Sequence, residues 1–152
     1  MPGFVKRMLI SLVLEDAILR EESAYRFYEE AEKRAEGEEP RRLLKKLCAE
    51  ELRHRLKLEQ LQRSGDVEQL EFSGREEIEM LDENKQTRPR LDAGSTTADV
   101  LNIALNKEKQ AVSYYRLIAS RSSLRSVRDV FLMLAGEETG HVQRVEQMLR
   151  EL

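Results

Sequence analysis

Four glutamates and both histidines of this 152-residue sequence form two matched sets of side chains that can bind metals. In each set, a single glutamate is followed 30 residues later by the glutamate of a Glu-x-x-His motif. Residues i and i+3 share one face of a helix, so the carboxylate and imidazole of each motif can reach the same metal centre. The six residues are Glu21, Glu51, His54, Glu108, Glu138 and His141.

Carboxylate and imidazole together are ligands for iron, manganese or zinc. Two helices that each give a glutamate, together with two that each give Glu-x-x-His, form the ligand set of di-iron and di-manganese bundles. We therefore predict two metal ions, expected to be iron, with manganese or zinc as alternatives. The hypothesis for their division is that one ion is bound by Glu21 and His54, the other by Glu108 and His141, and that both are bridged by Glu51 and Glu138.

Apolar residues spaced alternately three and four apart predict the helices that must position these six residues. This is the spacing of residues in the interior of a helical bundle. All six polar residues fall in the middle of such stripes. Burying one ionised carboxylate costs several kcal/mol unless it is compensated, and two divalent cations would balance four of them. Tyr28 and Tyr115 lie seven residues after Glu21 and Glu108, and their hydroxyls are predicted to hydrogen-bond to the carboxylates; ordinary core packing is the alternative.

The chain repeats itself with an offset of 87 residues, because Glu51 and His54 recur as Glu138 and His141. Gly37 and Pro40 interrupt the first half, and a serine pair at 122–123 interrupts the second and is predicted to cap the next helix. We predict an all-α protein, an antiparallel four-helix bundle of two hairpins in one domain over residues 1–152. The predicted bounds are about 8–64 for hairpin 1, about 65–97 for a long crossover, with a short helix within 75–85, and about 98–152 for hairpin 2.

Composition indicates which binding partners and which cellular location to expect. The net charge of −3 does not favour nucleic acid as a partner. No stretch approaches the ~20 apolar residues of a membrane span. The single cysteine, Cys48, fits a reducing compartment, so we expect a cytoplasmic protein, and we interpret Cys48 itself as a small core residue. Glu50 and Glu137 flank the motifs off the buried stripe and are expected to be solvated or to make helix contacts.

The repeated motifs resemble the rubrerythrin-like branch of the ferritin-like superfamily. The first repeat carries the likeness in Ala17-x-x-x-Glu21-x-x-Ala24-x-x-Phe27-Tyr28 and Glu50-Glu51-x-x-His54. The second carries it in Ala104-x-x-x-Glu108-x-x-Ala111-x-x-Tyr114-Tyr115 and Glu137-Glu138-x-x-His141. The resemblance implies a ferritin-like fold, a non-haem di-iron site that handles oxygen, peroxide or ferrous iron, and a homodimer.

Three departures narrow what the resemblance implies. Rubrerythrins proper carry a rubredoxin-like tail with two cysteine pairs, so a chain with one cysteine would need a separate electron-donor protein. They also carry a further glutamate on the third helix, in the position of Ala111, that serves peroxide reduction. Cage-forming ferritins have a fifth helix, whereas 11 residues follow His141 here.

Three functions remain open from the sequence. The first is a redox enzyme of ferroxidase or peroxidase type. The second is an iron-binding or storage protein without a separate organic substrate. The third is a bundle that binds zinc or manganese for stability alone.

Overall fold

A computed structural model describes residues 4–81 and 90–152 of the chain. It has four long helices, one short helix and a two-stranded antiparallel ribbon. In chain order the elements are β1 (Val5–Leu9), α1 (Ile10–Arg34), α2 (Glu38–Arg63), β2 (Gln69–Ser73), α3 (Gly74–Leu81), α4 (Thr97–Arg121) and α5 (Arg125–Glu151).

Helices α1 and α2 form the first hairpin through a tight connection at Gly37. Gly37 has a φ of +98°, a backbone conformation that residues with a Cβ rarely adopt. Pro40 lies in the first turn of α2, where its missing N–H removes no helical hydrogen bond. Glu38 and Glu39 in that turn interact favourably with the positive end of the helix dipole.

Helices α4 and α5 form the second hairpin. Thr96 caps α4 through a reciprocal capping box with Asp99. The predicted break at Ser122 and Ser123 is present, but the prediction that this pair caps the next helix was wrong. The N-cap of α5 is Leu124, and both serine hydroxyls bind the Glu68 carboxylate instead, because the chain after α2 passes close to this turn.

The ribbon was not predicted from the sequence, in which Met8 stood at the start of the first helix. Met8 instead pairs with Leu70, in a register that runs from Val5–Ser73 to Leu9–Gln69. Residues of β2 alternate between exposed and buried, and Leu70 and Phe72 are fully buried. Strand pairing supplies the backbone hydrogen bonds of this stretch, and Leu70 and Phe72 pack into the apolar cluster at that end of the bundle.

The four long helices pack as the predicted all-α bundle of two hairpins joined by a long crossover, a ferritin-like fold. Within the crossover, the predicted helix over 75–85 is observed as α3, and the part of it after Leu81 lies outside the described residues. Two apolar clusters fill the bundle, one near the ribbon around Phe131 and one near Gly37 around Leu44. None of the helices within residues 4–81 and 90–152 combines the length and the apolar composition that a membrane span requires.

Candidate metal centre

The six predicted ligand residues meet in one buried layer between the two apolar clusters. Each is at most 3% exposed. They come from all four long helices, because α1 and α4 each provide one glutamate and α2 and α5 each provide a Glu-x-x-His face. The imidazole rings of His54 and His141 are nearly parallel, at 12°, with their centroids 5.7 Å apart.

The layer divides into two overlapping groups of ligand atoms, each spanning no more than 4.8 Å. Both groups contain Glu51 and Glu138, the two residues that the sequence hypothesis assigns to bridging, a role that stays a prediction. One group adds Glu21 and His54, and the other adds Glu108 and His141.

The inner nitrogen of each histidine faces carboxylate oxygens. The Nδ1 of His54 lies 2.9 Å from the Oε1 of Glu138 and 3.6 Å from the Oε1 of Glu21. The Nδ1 of His141 lies 3.3 Å from both the Oε1 of Glu51 and the Oε2 of Glu108. A lone pair cannot face a carboxylate favourably, so a proton or a metal cation must lie between them.

The outer nitrogen of each histidine is bound by a residue that sequence reasoning assigned elsewhere. The Nε2 of His54 contacts the Oε2 of Glu137, and the Nε2 of His141 contacts the Oε2 of Glu50. Both glutamates therefore make helix contacts, one of the two roles expected for them, but the sequence did not indicate that these contacts reach the histidines of the layer. The antiparallel packing of α2 on α5 brings each glutamate to the opposite hairpin's histidine. The missed signal was that both motifs begin Glu-Glu and repeat at the same offset of 87.

Two tyrosines bind inner carboxylates across the hairpins. Tyr28 on α1 donates to the Oε1 of Glu108 on α4, and Tyr115 on α4 donates to the Oε1 of Glu21 on α1. Both rings are buried. Burial and then the nearby carboxylates raise the pKa of both hydroxyls well above 10, so each stays a donor.

Burial, the mutual repulsion of the carboxylates and their hydrogen bonds shift the pKa values of the layer in opposite directions. Burial and the charge of Glu51 raise the pKa of Glu21 and of Glu138 well above 4.5. Burial alone would raise that of Glu51 as well, but hydrogen bonds from Glu21 and both histidines lower its pKa well below 4.5.

Both histidines favour the protonated form. Burial alone would lower their pKa values, but the facing carboxylates outweigh it. They raise the pKa of His141 from 6.5 to about 10, and that of His54 further still.

The residues fit a pair of metal ions. Four polar atoms that face the centre make no well-oriented hydrogen bond among the described residues, although they lie close to one another and buried polar groups are almost always paired. They are Glu21 Oε2, Glu51 Oε1, His54 Nδ1 and Glu138 Oε1. A donor set of carboxylates and imidazoles with unpaired atoms facing one another is what a metal cation satisfies.

The remaining residues singled out from the sequence lie outside this layer. Cys48 is buried near the backbone carbonyl of Tyr25, and burial raises its thiol pKa to about 11, so its position is that of a small core residue. Ala111 is half-buried against the apolar cluster near the ribbon. Gly136 and Gly140 lie in α5 on either side of Glu138, and a Cβ at either would meet nothing within 4 Å.

Fold and layer together define the class: a ferritin-like four-helix bundle with a buried carboxylate–histidine cluster of metal-binding type. The family model described as rubrerythrin matches residues 4–82 and 99–152. The chain therefore belongs to the rubrerythrin family. A comparison with curated proteins gives no match.

Two solved structures share the fold. A hypothetical protein from Pyrococcus furiosus is 20% identical with a TM-score of 0.70, over 92% of this chain and 87% of that one. A dodecameric thioferritin, the bacterioferritin-related protein from Bacteroides fragilis, is 19% identical with a TM-score of 0.70, over 91% of this chain and 82% of that one.

Proposed function

We propose that the chain is a non-haem di-iron protein whose site reacts with oxygen, peroxide or ferrous iron. The observation that carries the proposal is the pair of overlapping ligand groups that share Glu51 and Glu138. Membership of the rubrerythrin family supports iron over manganese or zinc as the resident metal.

The chain's own residues would have separate tasks at such a site. The inner carboxylates and the Nδ1 atoms would hold the ions, and Glu50 and Glu137 would orient the imidazoles. Tyr28 and Tyr115 would fix the carboxylates that they bind. Two bound iron ions would supply the electrons for reduction of the oxidant, and the apolar clusters on either side would limit the access of water.

Loading with iron tests the proposal. Anaerobic addition of Fe(II) to metal-free protein, followed by air, is expected to leave about two irons per chain with the near-ultraviolet absorption of a coupled ferric pair. The double variant Glu51→Ala, Glu138→Ala is expected to bind neither ion. The matched control Glu39→Ala, Glu151→Ala removes exposed glutamates from the same two helices and should load like wild type. Failure of wild type to bind iron, with tight retention of zinc, would contradict the proposal.

A second candidate is iron binding or storage without catalytic turnover. It is favoured by Ala111, which stands where rubrerythrins proper carry the glutamate for peroxide reduction. Reduced protein should remove hydrogen peroxide repeatedly with a supplied electron donor if the site is an enzyme. One round of oxidation per bound pair, with no further consumption, identifies the second candidate.

We also propose a homodimer, which draws its electrons from a separate donor protein and resides in the cytoplasm. The assembly of one structural relative is described as dodecameric, which makes self-association a reasonable expectation here. Leu12 and Leu19 support it, because they lie seven residues apart on α1 and are 50% and 49% exposed. Light scattering of the full chain measures the mass directly, and a monomer would contradict this part of the proposal.

A further inference from the structure

The two halves of the internal repeat differ just outside the six predicted ligand residues. Glu50 and Glu137 hold equivalent positions in the two halves, and each accepts a hydrogen bond from the histidine of the opposite hairpin. Their exposure differs, since the Glu50 side chain is 13% exposed and the Glu137 side chain 51%. The two histidines are therefore oriented by carboxylates that differ in their freedom to move.

Two arginines hold Glu50. The Nη2 of Arg53, one turn later on α2, is 3.4 Å from its Oε1. The Nη1 of Arg144 on α5 lies 3.3 Å from the Oε1 and 3.5 Å from the Oε2. With His141, these contacts place three cationic side chains from two helices around Glu50, which restricts its rotamers.

Glu137 has no equivalent support. The repeat offset places Gly140 where the first half has Arg53, and Lys57 where the second half has Arg144. Gly140 has no side chain to reach Glu137, and Lys57 is exposed. Among residues 4–81 and 90–152, His54 is the only cationic group in contact with Glu137.

We infer that Arg53 and Arg144 make the two metal positions unequal, so that the position at His141 fills first and holds its ion more tightly than the position at His54. The inference rests on the proposed two-ion site. An imidazole that donates from Nε2 to a fixed carboxylate keeps its Nδ1 directed at the ion. A ligand that is already ordered loses less conformational freedom when the ion binds.

The opposing effect is the positive charge of the two guanidinium groups, which repels a cation. The Arg53 and Arg144 side chains are 70% and 44% exposed, so water and salt screen their charges. Loss of a group hydrogen-bonded to a metal-ligating histidine typically lowers metal affinity about 10–100-fold. Arg53 and Arg144 act on His141 through Glu50, so we expect the lower end of that range, and the His141 position should bind about tenfold more tightly.

The sequence provides a separate reporter for each position, because the protein has two histidines and one belongs to each ligand group. Metal-free full-length protein labelled with ¹⁵N-histidine is titrated with Zn²⁺, and the imidazole resonances are followed by NMR. A His54→Gln variant assigns the signals. The His141 resonances should reach their bound positions by about one equivalent, and those of His54 during the second.

Variants at the positions where the two halves differ test whether the arginines cause the difference in metal affinity. Arg53→Gly with Arg144→Ala should weaken the His141 position about tenfold and abolish the order of filling. Arg144→Lys, which keeps a cation beside Glu50, should retain part of the difference. Gly140→Arg adds the missing guanidinium beside Glu137 and should tighten the His54 position. Gly140→Ala is its matched control, since it adds a side chain to the same helix without the charge and should leave the order unchanged.

The outcomes separate this inference from the proposal beneath it. Simultaneous saturation of both imidazoles, prior filling at His54, or an unchanged order in the Arg53→Gly, Arg144→Ala protein would overturn the inequality while the two-ion site stands. If neither imidazole of the wild type responds to Zn²⁺, the two-ion site itself is refuted, and the inequality with it.

Discussion

The two nitrogens of each histidine in the buried layer have different surroundings. Nε2 meets an outer glutamate, while Nδ1 faces two or more inner carboxylates. Nε2 therefore carries a proton, and Nδ1 carries either a second proton or a metal bond. Protons and metal ions compete for the same inner atoms, which links the affinity of the site to pH.

Metal binding should release protons. In the metal-free layer, the pKa values of Glu21, Glu138 and both histidines are raised, so these groups favour protonated forms whose protons a bound ion displaces. Loading two divalent ions at pH 7 is expected to release about two or more protons per chain, because the Nδ1 of each histidine must lose its proton. Calorimetry with Zn²⁺ in buffers of different ionisation enthalpy measures the number. A heat of binding that is independent of the buffer would contradict this pattern of protonation.

The connections between helices determine whether the ligand residues of neighbouring helices lie at the same height along the bundle. The connection from α1 to α2 is short, and Gly37 adopts its φ of +98° there, where a Cβ would lie 3.3 Å from Pro40 Cδ. Gly136 is also a glycine but lies in α5, with nothing within 4 Å of an added Cβ. The same substitution should therefore have opposite effects at the two positions.

Gly37→Ala should destabilise the fold by about 1–2 kcal/mol, because alanine pays a steric cost at positive φ. Gly136→Ala should stabilise it by up to about 1 kcal/mol, because alanine favours an exposed helix interior. Urea denaturation of the metal-free proteins measures both changes. Equal effects of the two substitutions would mean that the turn conformation is not what Gly37 provides.

The long helices and the inner layer could be predicted because both depend on the spacing of residues along the chain. Glu51 and His54 lie on one helix face whatever surrounds them. The 30-residue separation of Glu51 from Glu21 indicates a helical hairpin in which the two glutamates lie at the same height. The contacts of Glu50 and Glu137 depend on how α2 packs against α5, which spacing within one helix does not reveal. Strand β1 depends on Leu70 and Phe72, more than 60 residues away along the chain.

At the scale of the whole molecule, the buried layer makes the stability of the metal-free bundle depend on pH. The pKa of His141 is about 10 in the fold and about 6.5 when unfolded, so its contribution is complete below about 6.5 and is lost as pH rises through 10. The raised pKa values of Glu21 and Glu138 act in the same direction, because the unfolded chain ionises them first. Glu51, whose pKa is lowered, contributes stability that is lost only in acid.

The free energy of unfolding of the metal-free protein should therefore fall between pH 6.5 and 10, by on the order of a few kcal/mol. In the zinc-loaded protein the ions replace these protons, so the fall over the same range should be much smaller. Denaturant titrations at several pH values, with and without Zn²⁺, measure both curves. A metal-free protein that grows more stable towards pH 10 would contradict the assignment of charges in the layer.

The central claim is that one buried layer of six side chains binds two metal ions, which share Glu51 and Glu138. This can be tested by anomalous scattering from crystals loaded with Fe(II) under anaerobic conditions, recorded on both sides of the iron absorption edge. We expect two peaks per chain within this layer, one beside the Nδ1 of His54 and one beside the Nδ1 of His141. A single peak, peaks only at surface carboxylates, or none in this layer would contradict it.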